Sequence, residues 1–199
     1  MKKAILLCLT ILCISCSNEN EATPDNEPFF NLEIGNVWVY QRFNSADNIN
    51  FIATNRIDSV RIVGDTTIAG INYTIRRHQI QNDNQISDEY LREDENGHLV
   101  FASGIVLNPG IDMNYVHVRN FYDMGNITYQ LQEPTDVTVE GEVYHVYPYV
   151  GLYVPFDSSL PSQTIYDQYQ RGLGLVCQRC TTPSGTSSYE ERLIYTNID

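Results

Sequence analysis

The chain has 199 residues, and its 12 lysines and arginines face 25 aspartates and glutamates, which gives a formal net charge of −13. The only lysines are Lys2 and Lys3, so the rest of the chain has neither the lysine of a P-loop nor an amine for Schiff-base chemistry. A surface this acidic repels phosphate backbones, which argues against nucleic-acid binding.

Residues 1–15 have the three parts of a bacterial signal peptide. Lys2 and Lys3 precede an apolar run over residues 4–14, and the small Ser15 follows it. Eleven residues in a helix span about 16 Å, whereas the hydrocarbon core of a membrane is about 30 Å thick. The run is therefore predicted to be the core of a cleaved signal and not a membrane span.

The sequence LCISC at residues 12–16 resembles the lipobox of bacterial lipoproteins, in which a small residue directly precedes the lipidated cysteine. The resemblance implies that Cys16 becomes the first residue of the mature protein and carries a diacylglycerol and an N-acyl chain. Several acyl chains hold a protein on a membrane durably, whereas one does not. The alternative is an ordinary secretory signal followed by an unmodified cysteine.

Residues 16–28 are predicted to form a flexible, acidic tether, because they contain no large apolar side chain that could be buried. Ser17 follows the cysteine where an aspartate would suggest retention in the inner membrane, and this favours the outer membrane by analogy. Glu19 and Glu21 resemble the acidic signal that sends some lipoproteins to the cell surface. The expected partner is the membrane, reached through the N-terminal lipid.

Residues 29–199 are predicted to form one all-β domain. Turn signals recur every 8 to 15 residues, and β-branched and aromatic runs lie between them. We expect about nine or ten strands in a single antiparallel meander, with its edges hidden in a curved sheet or a half-open barrel. Outside the signal, the one helical candidate is a short segment at residues 162–169.

Two hairpins predict which side chains share a face. A turn at Ala69–Gly70 places Val60 and Ile62 on the buried face, together with alternate residues of the next strand from Ile71 to Arg77. Gly64 and Asp65 suggest a bulge that would shift this register. In the second hairpin, a turn over residues 94–97 pairs Leu91 with Val100 on one face and Tyr90 with Phe101 on the other.

The start of the domain, FFNLEIGNVWVY at residues 29–40, resembles the F-P-L-x-x-G-N-x-W-x-Y opening of a family of bacterial outer-membrane or surface lipoproteins. Residues 64–73, 92–99 and 172–176 are similar to further motifs of that family, although Phe30 and Arg171 stand where prolines are expected. The shared motifs are structural, and no activity is established for the group. The spacing of Gly35 and Trp38 is also similar to the lipocalin opening, but the plainer reading of Trp38 is a core anchor.

Cys177 and Cys180 are the two cysteines that follow Cys16. Their surroundings are typical of a strand, in which residues three apart point to opposite faces, so a disulfide between them requires a bend. A structural disulfide is the favoured interpretation, followed by inert thiols. Redox or metal chemistry is the least favoured, because no second pair with zinc-ligand spacing exists.

No motif identifies an active site, so we expect no catalytic residue, metal or cofactor. The 14 tyrosines are unusual, and Tyr147, Tyr149 and Tyr153 are candidates to face a ligand such as a glycan, a peptide or a small amphiphile. Arg77 falls on the predicted buried face, so it is a further ligand-facing candidate and should have a carboxylate partner. The alternatives to a non-catalytic binding or structural role are a glycan-directed hydrolase that uses two carboxylates and a lipocalin-like carrier of a small amphiphile.

Overall fold

The structure is a computed structural model that describes residues 28–81, 83, 85–121, 123–182 and 184–198. The predicted signal peptide, Cys16 and the tether up to residue 27 lie outside the described residues. The described residues form antiparallel strands and no helix, which confirms the all-β prediction. None of the described segments is a helix long and apolar enough to cross a membrane.

The strands are numbered in chain order. They are β1 (Val37–Ser45), β2 (Ile52–Ile68), β3 (Ile71–Ile80), β4 (Ile86–Glu93), β5 (Leu99–Phe101), β6 (Val106–Asn108), β7 (Val116–Phe121), β8 (Gly125–Leu131), β9 (Thr135–Val139), β10 (Glu142–Pro155), β11 (Gln163–Gln170), β12 (Gly174–Thr181) and β13 (Ser188–Thr196).

One sheet holds all these strands, in the order β6-β5-β4-β3-β2-β1-β13-β12-β11-β10-β8-β7, and β9 pairs with β10 alone. Each pair of hydrogen-bonded strands consists of sequence neighbours, except the pairs β1 with β13 and β10 with β8. The two edge strands of the sheet are β6 and β7, which are consecutive in sequence. The sheet is therefore a half-barrel whose first and last strands meet in its middle.

The segment at residues 162–169 is not a helix, as the sequence suggested, but most of strand β11. Residues 163–169 pair with β10 on one side, and residues 166–169 also pair with β12 on the other. Ile165 and Tyr166, which are β-branched and aromatic, fit this central position in the sheet. Pairing with distant strands overrides the weak local helical preference.

A bulge in the β2–β3 hairpin changes the predicted faces. Val63 is an extra residue, because Ile62 pairs with Arg76 while Gly64 pairs with Ile75. Val60 and Ile62 therefore share the inner face with His78 and Arg76, whereas Arg77 turns outward. The prediction that Arg77 lies on the buried face is wrong, since one inserted residue reverses the alternation.

The β4–β5 turn shifts its hairpin in the same way. Glu93 pairs with Leu99, and Leu91 pairs with Phe101 and not with Val100. The turn holds five residues, because the Asp94 carboxylate accepts hydrogen bonds from the backbone N–H groups of Asn96 and His98, both at 2.9 Å. Leu91 and Phe101 thus share a face, contrary to the predicted pairing.

Aromatic side chains from the start of the domain close one end of the half-barrel. Phe29 and Phe30 are 4% and 3% exposed, and they pack edge-to-face against Tyr147 and Tyr169. Trp38 is also buried, and its indole N–H donates a 2.6 Å hydrogen bond to the Leu173 carbonyl oxygen. This end of the barrel is filled, and Trp38 is the core anchor that the sequence suggested.

The opposite face of the sheet is partly covered by a hairpin arm, formed by β9 and the first half of β10. Val139 and Val146 of this arm are buried in the same cluster as Val176 and Cys177. At the tip of the arm, Glu140 forms a 2.8 Å ion pair with Arg192 of β13. The arm therefore fixes the outer surface of β12 and β13 and leaves the inner surface to line the barrel interior.

Candidate functional site

The interior of the half-barrel is hollow. An inner cavity of about 240 Å³ lies next to the filled end, a seam cavity of about 170 Å³ lies between the two edge strands, and a far cavity of about 430 Å³ lies beyond it. Asp167 and Gln178 line both the inner and the seam cavity, and Arg119 and Tyr129 line both the seam and the far cavity. The shared walls place the three cavities in series along the barrel.

The seam cavity separates the edges of the sheet. Val106 and Leu107 of β6 line it from one side, and His117 and Arg119 of β7 line it from the other. No ladder of backbone hydrogen bonds joins β6 to β7 among the residues that the structure describes. The two edge strands therefore face each other across the seam cavity without being paired.

The inner cavity has a mixed lining. Its apolar wall includes Phe30, Leu32, Trp38, Val60, Ile62, Leu99, Phe101, Leu107 and Leu175. Its charged side chains and the amide that lies among them are Asp58, Arg76, His78, Glu89, Asp167, Gln178 and Glu191, and its remaining polar side chains are Asn31, Tyr40 and Tyr169. Charged groups that line an enclosed, largely apolar space are costly unless they are paired or have a function.

The charged groups on β2, β3 and β4 pair with each other. Arg76 forms a 2.6 Å ion pair with Glu89, and His78 lies 3.1 Å from Glu89 and 3.2 Å from Asp58. Burial lowers the pKa of His78, but its bonds to the two carboxylates outweigh this effect and raise the pKa to about 9. Burial raises the pKa of Glu89, while the bonds from His78 and Arg76 bring it down to about 2. This cluster is charged at neutral pH.

A second polar row crosses the opposite part of the sheet. Direct cross-strand pairing aligns Tyr149 with Asp167, Asp167 with Gln178, Gln178 with Glu191 and Glu191 with Arg42. Arg42 neutralises Glu191 through a 2.6 Å ion pair. Side chains directly opposite each other on one face are about 5 Å apart at their Cβ atoms, so this row forms a continuous strip.

Asp167 differs from the other interior carboxylates because the described residues give it no cationic partner. Its Oδ1 atom accepts a 2.9 Å hydrogen bond from the Gln178 side-chain amide. Burial raises the pKa of Asp167 to about 6, against a smaller lowering by Gln178 and by the charge of Arg76. A carboxyl group that titrates near neutral pH in a cavity is typical of functional sites.

Two of the three predicted tyrosines face this interior. Tyr149 and Tyr153 are 2% and 5% exposed, and Tyr149 lines the seam cavity while Tyr153 lines the far cavity. The buried Tyr149 hydroxyl has no hydrogen-bond partner among the described residues. The Tyr153 hydroxyl donates to the Met124 carbonyl oxygen at 2.9 Å, and Tyr147 packs on Phe29.

A glycine makes room for one further aromatic side chain that the sequence analysis did not single out. Tyr129 stacks on Tyr149, with ring centroids 5.2 Å apart. A Cβ atom at Gly151 would lie 2.7 Å from the Tyr129 ring and 2.8 Å from the Ile165 side chain. Gly151 is therefore the position on β10 that lets the Tyr129 ring lie flat against the sheet.

Arg77 has the carboxylate partner that the sequence analysis expected, but it does not line the interior cavities. Two guanidinium nitrogens contact the two oxygens of Asp88 at 2.7 and 2.8 Å. The Arg77 side chain is 42% exposed on the outer face. Its neighbour Arg76 occupies the inward position.

Cys177 and Cys180 are free thiols, so the expected disulfide is not formed. The stretch of β12 between them pairs regularly with β13 and has no bend. Cys177 therefore points to the outer face beneath the hairpin arm, and Cys180 lines the far cavity. Burial raises the pKa of Cys177 to about 12, which makes its thiol unreactive.

The sequence did not show which carboxylates line the site, although the position of Asp167 in its strand was one indication. Asp167 interrupts the alternating inward positions of β11 between Ile165 and Tyr169. Within the described part of the chain, no three His, Cys, Asp or Glu side chains are grouped closely enough to hold a metal ion. The arrangement is that of a small-molecule pocket with apolar walls and a few placed polar groups.

The fold has relatives among solved structures. An exported protein of Bacteroides fragilis, described as having a YmcC-like fold, superposes with a TM-score of 0.54 at 8% identity over 86% of this chain and 99% of that chain. A lipoprotein of Parabacteroides distasonis superposes with a TM-score of 0.44 at 14% identity over the same shares of the two chains. No protein-family model and no curated protein sequence matches the chain. The half-barrel is thus a YmcC-like fold.

Proposed function

We propose that this chain is an exported lipoprotein, anchored through Cys16 in the outer membrane, whose half-barrel binds a small amphiphilic molecule in its interior. The observation that carries the binding role is the series of three cavities. Their walls combine apolar side chains with a few polar groups, among them the unpartnered Tyr149 hydroxyl. The export and anchoring rest on the signal and on the lipobox pattern of residues 12–16.

The orientation of the tyrosines favours a small amphiphile over a glycan or a peptide. Recognition of long polymers needs aromatic faces that are open to solvent, whereas Tyr149 and Tyr153 are almost fully buried. The interior also matches the size of small-molecule sites, because the inner and seam cavities together exceed the lower end of the usual range of about 300–1,000 Å³.

A carboxylate-pair hydrolase is the second candidate, since Asp167 and Glu89 line the same cavity with pKa values displaced in opposite directions. However, Arg76 and His78 both contact the same Glu89 oxygen, Oε2, which favours a structural role for this carboxylate. Non-catalytic binding therefore accounts better for the site. Turnover of an ester or glycoside by the wild-type chain, lost in Asp167→Asn, would favour the hydrolase.

The binding role is tested by titrating the mature chain with N-phenyl-1-naphthylamine, a neutral apolar dye that fluoresces when it leaves water. We expect saturable binding at one site. Leu107→Trp should weaken it at least tenfold, because Leu107 lines both the inner and the seam cavity. The matched control is Leu152→Trp on the outer face, where Leu152 is 47% exposed. Absence of saturable binding, or equal binding by both variants, would contradict the proposal.

A further inference from the structure

The interior contains a place for a positive charge. Asp167 and Tyr149 are direct cross-strand partners, and both line the seam cavity. The Asp167 carboxylate receives one amide hydrogen bond, and the Tyr149 hydroxyl has no protein partner among the described residues although the side chain is only 2% exposed. Both side chains thus line the same cavity, and each has an oxygen whose hydrogen-bonding capacity the described residues do not fill.

Aromatic rings surround this pair of oxygens. Tyr129 stacks on Tyr149, His117 follows at 6.3 Å from Tyr129, and Tyr115 follows at 6.4 Å from His117. The phenol ring of Tyr169 lies on the neighbouring inward position of β11. Aromatic faces beside a carboxylate are the surroundings that recognise ammonium groups, because the ring quadrupole attracts a cation.

We propose that the ligand of the half-barrel is an organic ammonium ion with an apolar tail, whose charged group sits between Asp167 and Tyr149. This inference rests on the proposed binding function and names its ligand class. The ammonium N–H groups donate to the Asp167 carboxylate and to the Tyr149 hydroxyl oxygen. The apolar tail lies along Phe101 and Leu107, which line both the inner and the seam cavity.

The charge balance of the interior agrees with a cationic ligand. Arg76 is paired with Glu89 and Arg42 with Glu191, so neither of these arginines is free to neutralise Asp167. Arg119 lines the seam cavity from β7, but it stands in the row of Ile127, Tyr153 and Gln163. This row lies two inward positions, about 13 Å along the strands, from the row of Tyr149 and Asp167. After loss of residues 1–15, the chain has ten arginines against 25 acidic residues, and this field attracts cations.

The test is isothermal titration of the mature chain with three ligands of equal length: octylammonium, 1-octanol and octanoate. At pH 7.5 we expect octylammonium to bind at least tenfold more tightly than the other two. Asp167→Asn should remove this preference, and Tyr149→Phe should reduce it. The control Asp65→Asn removes an exposed carboxylate of β2 and should leave the preference unchanged.

The pH dependence gives a readout that does not need a variant. The groups that face Asp167 are Gln178 on β12, Glu191 on β13, Arg76 on β3, Tyr149 on β10, Tyr169 on β11 and Tyr129 on β8. Alkylammonium ions stay charged below about pH 10. Since Asp167 ionises around pH 6, octylammonium should bind about tenfold more weakly at pH 5 than at pH 7 and should release protons near pH 6.

The two proposals fail differently. If the naphthylamine dye does not bind either, the binding function itself is wrong. If the dye binds but octanol or octanoate equals octylammonium in affinity, the interior is a binding site and the ammonium inference is overturned. Unchanged octylammonium binding in a folded Asp167→Asn variant, or binding without proton release at pH 6, would overturn it as well.

Discussion

At the scale of single residues, the interior is distinguished by Asp167, a largely buried carboxyl group to which the described residues give no counter-ion. The other cavity acids are held by Arg42, Arg76 or His78, whereas Asp167 has an amide partner. Such a group opposes folding whenever it is ionised, because its charge has left water without full compensation. Proteins retain destabilising residues where their function needs them. A carboxyl group that lowers stability and lines a cavity is therefore what we expect at a binding site.

Asp167→Asn should therefore stabilise the empty protein at neutral pH. The folded-state pKa of about 6 exceeds the ordinary value of 3.8, so the favourable contribution of the protonated acid is present below pH 3.8 and is lost as the pH rises through 6. At pH 7.5 we expect the free energy of unfolding to rise by about 1 to 3 kcal/mol in the variant. Urea unfolding at pH 4 and pH 7.5 measures it.

The difference between variant and wild type should shrink at pH 4, where both side chains are neutral. Asp65→Asn, which changes an exposed position, should alter stability by less than about 0.5 kcal/mol at either pH. A variant that is less stable than wild type at pH 7.5 would mean that the Asp167 carboxylate is compensated within the protein. Asp167 would then need no positive charge from a ligand.

At the scale of strands and hairpins, alternation along the sequence was sufficient to predict the all-β class. It could not predict which residues face inward, because the extra Val63 and the five-residue β4–β5 turn each reverse a face. For this reason the sequence indicated Arg77 for the interior, where the structure has Arg76. Gly64 indicated a bulge at this point of the sequence, but it did not indicate how many residues the bulge inserts.

The hairpin arm gives a matched pair for measuring packing on the outer face. Val146 is fully buried against β12, whereas Val143 of the same strand is 68% exposed. We expect Val146→Ala to lower the free energy of unfolding by about 2 kcal/mol, because it leaves a cavity, and Val143→Ala to change it by less than about 0.5 kcal/mol. Chemical denaturation of both variants checks this. Equal effects would show that the arm is not packed on the sheet.

At the scale of the whole molecule, the polar groups of the site come together through contacts that no local pattern specifies. Asp167 meets Gln178 and Tyr149 because β11 lies between β12 and β10, and Glu191 meets Arg42 because the first strand pairs with the last. The sequence contains 25 acidic residues, and only the order of strands distinguishes the few that face inward. The inward Tyr149 and Tyr153 could be predicted because they fall on the same side of the alternation along one strand, β10.

The membrane anchor is a prediction for the whole chain that the fold does not address. We expect mass spectrometry of the protein, purified from the cell envelope of the bacterium that produces it, to show a chain that begins at Cys16 and carries acyl groups. Cys16→Ala should abolish the modification, whereas Cys13→Ala should be processed normally, since Leu12 is a poor residue before a lipidated cysteine. Recovery of the chain with Met1 attached, or with an unmodified Cys16 thiol, would contradict the anchor.

The central claim is that the hollow interior, and not the outer surface, holds the ligand. The most direct measurement is amide chemical-shift mapping of the mature chain during titration with N-phenyl-1-naphthylamine. We expect the largest chemical-shift changes at residues around the inner and seam cavities, including Leu107, Tyr149 and Asp167. Shifts confined to exposed apolar residues of the outer face, such as Val118 and Leu152, would contradict it.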